Sequence, residues 1–568
     1  MGTTTLSESR SRMGTAVAER RTELRRRTFE MIDDEEEDEE LTAREELAKF
    51  GNENDRRDMA RMGKIQEMRR NFKSLTVLGF CAILMCSWES LLSTASLALT
   101  NGGSAGLIYT WLIAWAGFNA VYASMAEMAS VAPTTGGQYH WVSEFAPPGY
   151  QAFLSYVVGW LGVLGWQTLV TSIAFQAGTE IQGLLALNYD EYVPLRWHGT
   201  LLVIAVVAFA LVFNTLLASR LNLVEGAILV VHVFGFFCVL VPLWVLAPRT
   251  PGRVVWTQFH DGGGWGNVGL STLIGLITSV LPLLGADASV HMAEEVQDAA
   301  RTLPRSMMWS INLNGLMGWL TAITFCYCIG DLDQVLQTRT GYPFIQVIFN
   351  VTQSYPATNF LTSIVLLMAT FSCVTIMASA SRQLFAFARD RGLPCSAWLA
   401  RVHPKLGVPV NAVVLSAAIS VLLSLINIGS TVAFSSLVSL GSGTLMISYI
   451  VCIGCFAWRR WCGGHVKGAP AIPAAPFSLG AWGLPVNAVA VSFLLLVFVV
   501  AFFPASPLPN LNAASMNWSS VILTVVVVWA MAYYFIWSRH VYEGPVKFVK
   551  RAAEDELDWG ASQQSRTL

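Results

Sequence analysis

The chain has 568 residues, of which 54% are hydrophobic and only 13% charged, and its formal net charge is −2. A soluble domain carries about 25% charged residues, so this composition excludes a chain wetted on all sides. The near-neutral balance excludes a global field that would gather nucleic acid.

In chain order, residues 1–73 are polar and read as a disordered cytoplasmic tail. Asp33 to Glu40 is an unbroken acidic run that repels itself and cannot bury a core. A solvated tail and a regulatory docking site are both open readings of it. Arg56, Arg57, Arg61, Lys64, Arg69, Arg70 and Lys73 follow, a basic cluster suited to anionic membrane lipid and to a cytoplasmic N-terminus. No cleavable signal peptide is evident at the start, so the first spanning helix is expected to act as the membrane signal.

From residue 74 the apolar residues fall in blocks that reach the ~20 residues needed to cross ~30 Å of hydrocarbon as a helix. About twelve such blocks are predicted, at 74–99, 105–130, 149–178, 199–219, 223–247, 270–295, 306–329, 358–388, 409–428, 432–458, 481–503 and 517–538. The fold class is therefore an all-α membrane protein with a membrane domain over 74–540 and a cytoplasmic tail over 541–568. With the N-terminus inside, cytoplasmic loops hold eleven Lys and Arg residues and outer loops four. That excess places both termini in the cytoplasm. The ten cysteines sit mostly inside apolar segments and read as small buried residues. No metal or cofactor site is expected.

Ionisable and helix-breaking residues inside a span mark a cavity, a pathway or a helix contact. The sixth span is interrupted at Leu281-Pro282-Leu283-Leu284-Gly285-Ala286-Asp287, and Asp287 is placed to cap the second half-helix. His291 and Glu295 follow at i+4 and i+8, with Glu294 beside them. As one helical stripe they line a substrate or proton route with an inner gate; otherwise Asp287 only caps a kink and the lower acids pair with Arg301 or Arg305. The first span is interrupted at similar depth by Cys86-Ser87-Trp88-Glu89-Ser90, a break without glycine. There Glu89 is costly unless paired or protonated, and Trp88 offers a π face to an amine. Two breaks at corresponding positions of two five-helix halves point to a transport site at mid-membrane. The fifth span adds Glu225 and His232 as coupling candidates. In the third, Trp160, Trp166 and Gln167 either face the cavity or pack.

Several stretches carry a family resemblance. Glu127-Met-Ala-Ser-Val-Ala-Pro133-Thr-Thr-Gly136-Gly137-Gln-Tyr139 and Ser381-Arg382 through Arg389-Asp390-Arg391-Gly392-Leu393-Pro394 resemble signatures of the amino acid–polyamine–organocation permease superfamily. Ser87-Trp88-Glu89, Thr100-Asn101-Gly102-Gly103, Glu225 through His232, Gly285-Ala-Asp287 through Glu295, and Thr340-Gly341-Tyr342-Pro343-Phe344 resemble its fungal amino acid/choline transporter branch. The resemblance covers roughly 74–540. It implies a 5+5 inverted-repeat, leucine-transporter-like core plus two extra helices. It also implies secondary uptake of choline, γ-aminobutyrate or related amino compounds, with the proton as coupling ion.

The site expected to bind substrate is then Ser87, Trp88, Glu89, Gly285, Ala286 and Asp287, with Trp166, and the coupling or gating residues are Glu225, His232, His291, Glu294 and Glu295. The partners are a small amine or amino acid, a proton and membrane lipid, with no nucleic acid. The expected location is the plasma membrane, with the vacuolar membrane as the alternative. A substrate sensor on the same fold is the rival function, motivated by the acidic tail. An enzyme is not expected: there is no His-Glu-x-x-His pair, phosphate loop or nucleophile elbow.

Overall fold

The computed structural model of the protein describes residues 51–466, 469–504, 506, 507, 509, 511, 516–542, 544 and 545, without the side chains of 431–438. The acidic run Asp33 to Glu40 and nearly all of the tail over 541–568 lie outside the described residues.

Among the described residues, eleven helices are long and apolar enough to cross a membrane. A further helix of thirty residues, Ala299–Cys328, occupies the seventh position. Its buried Ser306, Ser310 and Asn314 lower its apolar content, and they face protein rather than lipid. Counted with it, the spans number twelve in chain order, as predicted. Among the described residues no strand forms; only isolated bridges join Phe72 to Val296 and Asn101 to Asp261.

The first span lies at the centre of the bundle and the twelfth at its edge: their apolar windows are 83% and 17% buried. The closest packing across the two halves includes the second span on the seventh, the third on both the eighth and the tenth, and the fourth on the ninth. First-to-seventh packing is matched by second-to-sixth packing. Exchanging the halves maps most of these contacts onto themselves, as an inverted repeat requires, while the close third-to-tenth packing has only weak fifth-to-eighth packing as its counterpart.

Two spans are broken. The first is helical over Ser74–Met85 and again over Ser87–Thr100, and Cys86 between them is left-handed at φ 43°, ψ 48°. Cysteine, not the glycine usual in such a conformation, takes this strained position. The Leu84 carbonyl beside the break accepts from Ser372 Oγ of the eighth span at 2.7 Å.

The sixth span runs Val268–Val280, tightens to a 3-10 turn over Leu281–Leu283, opens at Leu284 and Gly285, and resumes for a single turn over Ala288–His291. Gly285 sits at φ 104°, and a Cβ there would lie 2.8 Å from Leu84 of the first span. The two breaks therefore touch. Tyr122 of the second span serves the sixth-span gap: its hydroxyl donates to the Leu283 carbonyl (2.9 Å) and accepts from the N–H of Gly285 (2.8 Å) and Ala286 (3.2 Å). Backbone exposed by a break at membrane depth persists only with such partners.

Residues 53–73 correct the prediction of a disordered tail. Glu53–Arg61 is a helix with a reciprocal Asn52–Asp55 cap. Asp55 also accepts from the N–H groups of Asp298 and Ala299, at 3.0 and 3.1 Å, and pairs with buried Arg70 at 3.2 Å. Phe72 exchanges backbone hydrogen bonds with Glu295 and Gln297, both at 3.0 Å. The polar composition suggested disorder, but the segment is ordered by the helix termini and carbonyls of the membrane domain, which composition alone does not register.

Candidate functional site

The first-span break opens its second half-helix with Ser87, Trp88 and Glu89, all fully buried. Glu89 Oε1 lies 2.8 Å from Nδ1 of His232 in the fifth span, a pair with no exposure on either side. Isolated, a carboxylate at the bilayer centre costs about 3 kcal/mol even on the lowest scales. The imidazole offsets that through its hydrogen bond with the carboxyl group. Glu89 Oε2 and His232 Nε2 have no partner among the described residues. The Trp88 ring lies 6.2 Å from the His232 ring and 6.0 Å edge-on to Phe236, and its indole N–H is also unpartnered. A carboxyl group, an aromatic ring and unpartnered polar atoms thus lie close together beside the break.

Glu180 belongs to this cluster and was missed in the sequence. The third span was predicted to stop at 178, whereas the helix runs Gln151–Asn188. The apolar residues through Leu187 were the available signal. Glu180 Oε1 accepts from Ser93 Oγ (2.6 Å) and Gln176 Nε2 (3.0 Å), and its second oxygen is unpartnered. Ser93 stands one turn beyond Glu89 and its hydroxyl lies 3.1 Å from the Glu89 carbonyl.

The other predicted residues divide. The Ser87 hydroxyl is committed to Asn314 of the seventh span, at 2.6 Å from Oδ1 and 3.0 Å from the carbonyl oxygen. The N–H groups of Gly285 and Ala286 are taken by Tyr122. Asp287 stands at the N-cap position but makes no side-chain cap bond. One oxygen accepts from Tyr449 of the tenth span and the other from Gln138 of the short helix Gln138–Phe145. Both oxygens are used between helices, so the predicted capping role is corrected: a one-turn helix offers little to cap.

Trp166 packs edge-on against His291 at 5.2 Å, and His291 Nδ1 lies 3.0 Å from the Thr135 carbonyl. Together they floor the break. Trp160 instead meets Trp529 of the twelfth span, and Gln167 donates to Ser416 of the ninth.

The predicted stripe from Asp287 to Glu295 is not one helical face. After His291 the chain passes into a 3-10 turn over Ala293–Glu295. Glu294 takes a two-pronged contact from Arg389 (2.6 and 2.9 Å), and Glu295 pairs with Arg382 at 2.9 Å. The partners are arginines of the eighth span and not Arg301 or Arg305, because Arg301 turns to Asp298 at the helix start. Lys64 pairs with Asp390, which also accepts from Tyr139 at 2.9 Å. Burial pushes the Asp390 carboxyl up, but Lys64 and Arg389 outweigh it and hold it below the usual carboxylate range. These contacts seal the face of the bundle that carries residues 53–73.

Glu225 joins a different neighbourhood. It accepts from Thr375 of the eighth span at 2.9 Å, with one oxygen unpartnered. It stands seven residues before His232, about 10 Å along the helix, between the Glu89–His232 pair and the sealed face.

The comparisons with known proteins agree with this architecture. The amino acid permease family matches residues 71–530. An amino acid/polyamine transporter of Macrophomina phaseolina is 33% identical over 78% of this chain and 97% of its own length. The choline transporter of Saccharomyces cerevisiae is 27% identical over 87% of this chain and 86% of its own. An amino-acid permease of Arabidopsis thaliana is 28% identical over 85% and 95% respectively.

Proposed function

This chain belongs to the amino acid permease family, and we propose that it imports choline or a small amino acid or amine such as γ-aminobutyrate by proton-coupled secondary transport. That it is a multi-pass membrane transporter of amino acids or organic cations, and not an enzyme, follows from the family and the eleven apolar helices. The single observation that supports the finer reading is the Glu89–His232 pair beside two touching broken spans, with one free polar atom on each partner.

In this reading the substrate's ammonium head sits against Glu89 Oε2 and the Trp88 face. Its arrival displaces a proton from Glu89 to His232, and Glu225 receives that proton on the inner side. The face bearing residues 53–73 is cytoplasmic, as the charge count of the loops supports. The plasma membrane is the proposed location. The sealed inner face and the Glu294–Arg389 and Glu295–Arg382 pairs then form the inner gate. The membrane potential adds about 2.3 kcal/mol per charge per 100 mV for a cation moving inward.

Uptake of labelled choline and γ-aminobutyrate in cells, with and without a protonophore, tests the proposal. Concentrative uptake that collapses with the uncoupler supports it. Accumulation that the uncoupler leaves unchanged rejects proton coupling, and binding without flux favours the sensor.

A further inference from the structure

The acidic cluster is larger than a single amine needs. Glu89 and Glu180 are fully buried and joined through Ser93, whose hydroxyl lies 2.6 Å from Glu180 Oε1 and 3.1 Å from the Glu89 carbonyl. Each keeps one oxygen without a partner. The basic group in contact with either is the His232 imidazole; among the described residues no lysine or arginine pairs with them. His232 Nε2 and Trp88 Nε1 are buried and unpartnered, on rings whose centroids lie 6.2 Å apart. Two buried acids with open oxygens and a single imidazole contact leave a place for a cationic group.

A substrate carboxylate finds the opposite. In the sixth-span break the N–H groups of Gly285 and Ala286 are the natural donors, and Tyr122 already holds both. The half-helix Ala288–His291 is one turn long, too short to carry a useful dipole. The first turn of Ser87–Thr100 already carries the acidic side chain of Glu89, which disfavours a second anion there. An anion placed there meets two acidic side chains and, among the described residues, no guanidinium or ammonium paired with them.

Resting on the proposal that Glu89 faces the substrate, we infer that Glu180 is a specificity-determining residue that makes this site one for organic cations lacking a carboxylate. Quaternary ammonium alcohols and simple amines fit: their charge is shared between Glu89 and Glu180, and a hydroxyl reaches His232 Nε2 or Trp88 Nε1. Glu180 stands on the outer side of Glu89. Thr179 beside it lies 2.6 Å from the Tyr342 hydroxyl in the Thr340–Pro343 loop, so Glu180 is the first of the two acids an entering cation meets.

The test is equilibrium binding of labelled choline to the purified full-length protein, competed by putrescine, ethanolamine and γ-aminobutyrate. The wild type, Glu180→Gln, Glu180→Asp and Glu89→Gln are compared, with gel-filtration profiles to check folding. The expected results are competition by both amines at concentrations at least tenfold lower than γ-aminobutyrate requires, and a narrowing of that gap by tenfold or more in Glu180→Gln. Glu180→Asp keeps most of the gap. An unchanged gap in Glu180→Gln, with binding lost in Glu89→Gln, overturns the role of Glu180 and leaves the transport site standing. Unchanged binding in Glu89→Gln removes the site itself. Should Glu180→Gln not fold, the wild-type ratio decides: γ-aminobutyrate competing as well as the amines overturns the inference.

Discussion

Glu89 and Asp287 are both fully buried acids beside a broken span, and their partners separate them. Asp287 has both oxygens filled, by Tyr449 and Gln138. Glu89 has one oxygen on His232 and one free. A buried acid with a free oxygen is costly to keep unless something else completes it. Glu89→Gln is therefore expected to cut uptake at least tenfold at unchanged surface expression, whereas Asp287→Asn is expected to lower the yield of folded protein more than the apparent affinity. Uptake kinetics beside surface labelling separate the two outcomes. Tyr122 is the matching case for backbone. Tyr122→Phe strips a partner from Leu283, Gly285 and Ala286, and each unpaired buried group costs about 1–3 kcal/mol. Thermal unfolding in detergent should show a clear loss of stability; an unchanged midpoint would mean that the hydroxyl does not hold the break.

Whole elements were easier to read from the sequence than the ties between them. A run of about 20 apolar residues announces a span by itself, and Pro282 with Gly285 announces a break. Glu180 escaped because a span end was drawn ten residues early. The partners of Asp287 escaped because Gln138 and Tyr449 lie 149 and 162 positions away in the chain. Residues 53–73 escaped because an amphipathic segment that docks on helix ends has the composition of a free tail.

That segment carries its own prediction. The Lys64–Asp390 pair and the Asp55 bonds to the N–H groups of Asp298 and Ala299 fasten it across one face of the bundle. The folded Asp390 carboxyl is held below its ordinary range, so its contribution is full above the unfolded carboxylate value and is lost as pH falls through the depressed one. Proteolysis near residue 64 should accelerate at acid pH and, at neutral pH, in Asp390→Asn. Equal cleavage rates in variant and wild type at neutral pH would show that the pair does not fasten the segment. The first-span break makes a simpler case. Relieving the positive φ of a non-glycine residue is worth about 1–2 kcal/mol, so Cys86→Gly should be tolerated, and Cys86→Val should be destabilising by thermal unfolding.

At the scale of the molecule, the two broken spans touch through Gly285 and Leu84 and each is braced by the other half of the bundle: Ser372 at the first break, Tyr122 at the sixth. Cross-bracing makes the breaks hinges shared between two bodies, which suits rocking of one half against the other around a fixed site. In the proposed transport cycle, opening on the face that carries residues 53–73 parts Glu294 from Arg389 and Glu295 from Arg382 and releases that segment, while the Glu89–His232 pair stays near the breaks. The most direct measurement is uptake of labelled choline into liposomes containing the purified protein, driven by an imposed proton gradient, for the wild type and Glu89→Gln. The account predicts concentrative, gradient-dependent uptake by the wild type and its loss in the variant. Concentrative uptake of equal size in the two would contradict it.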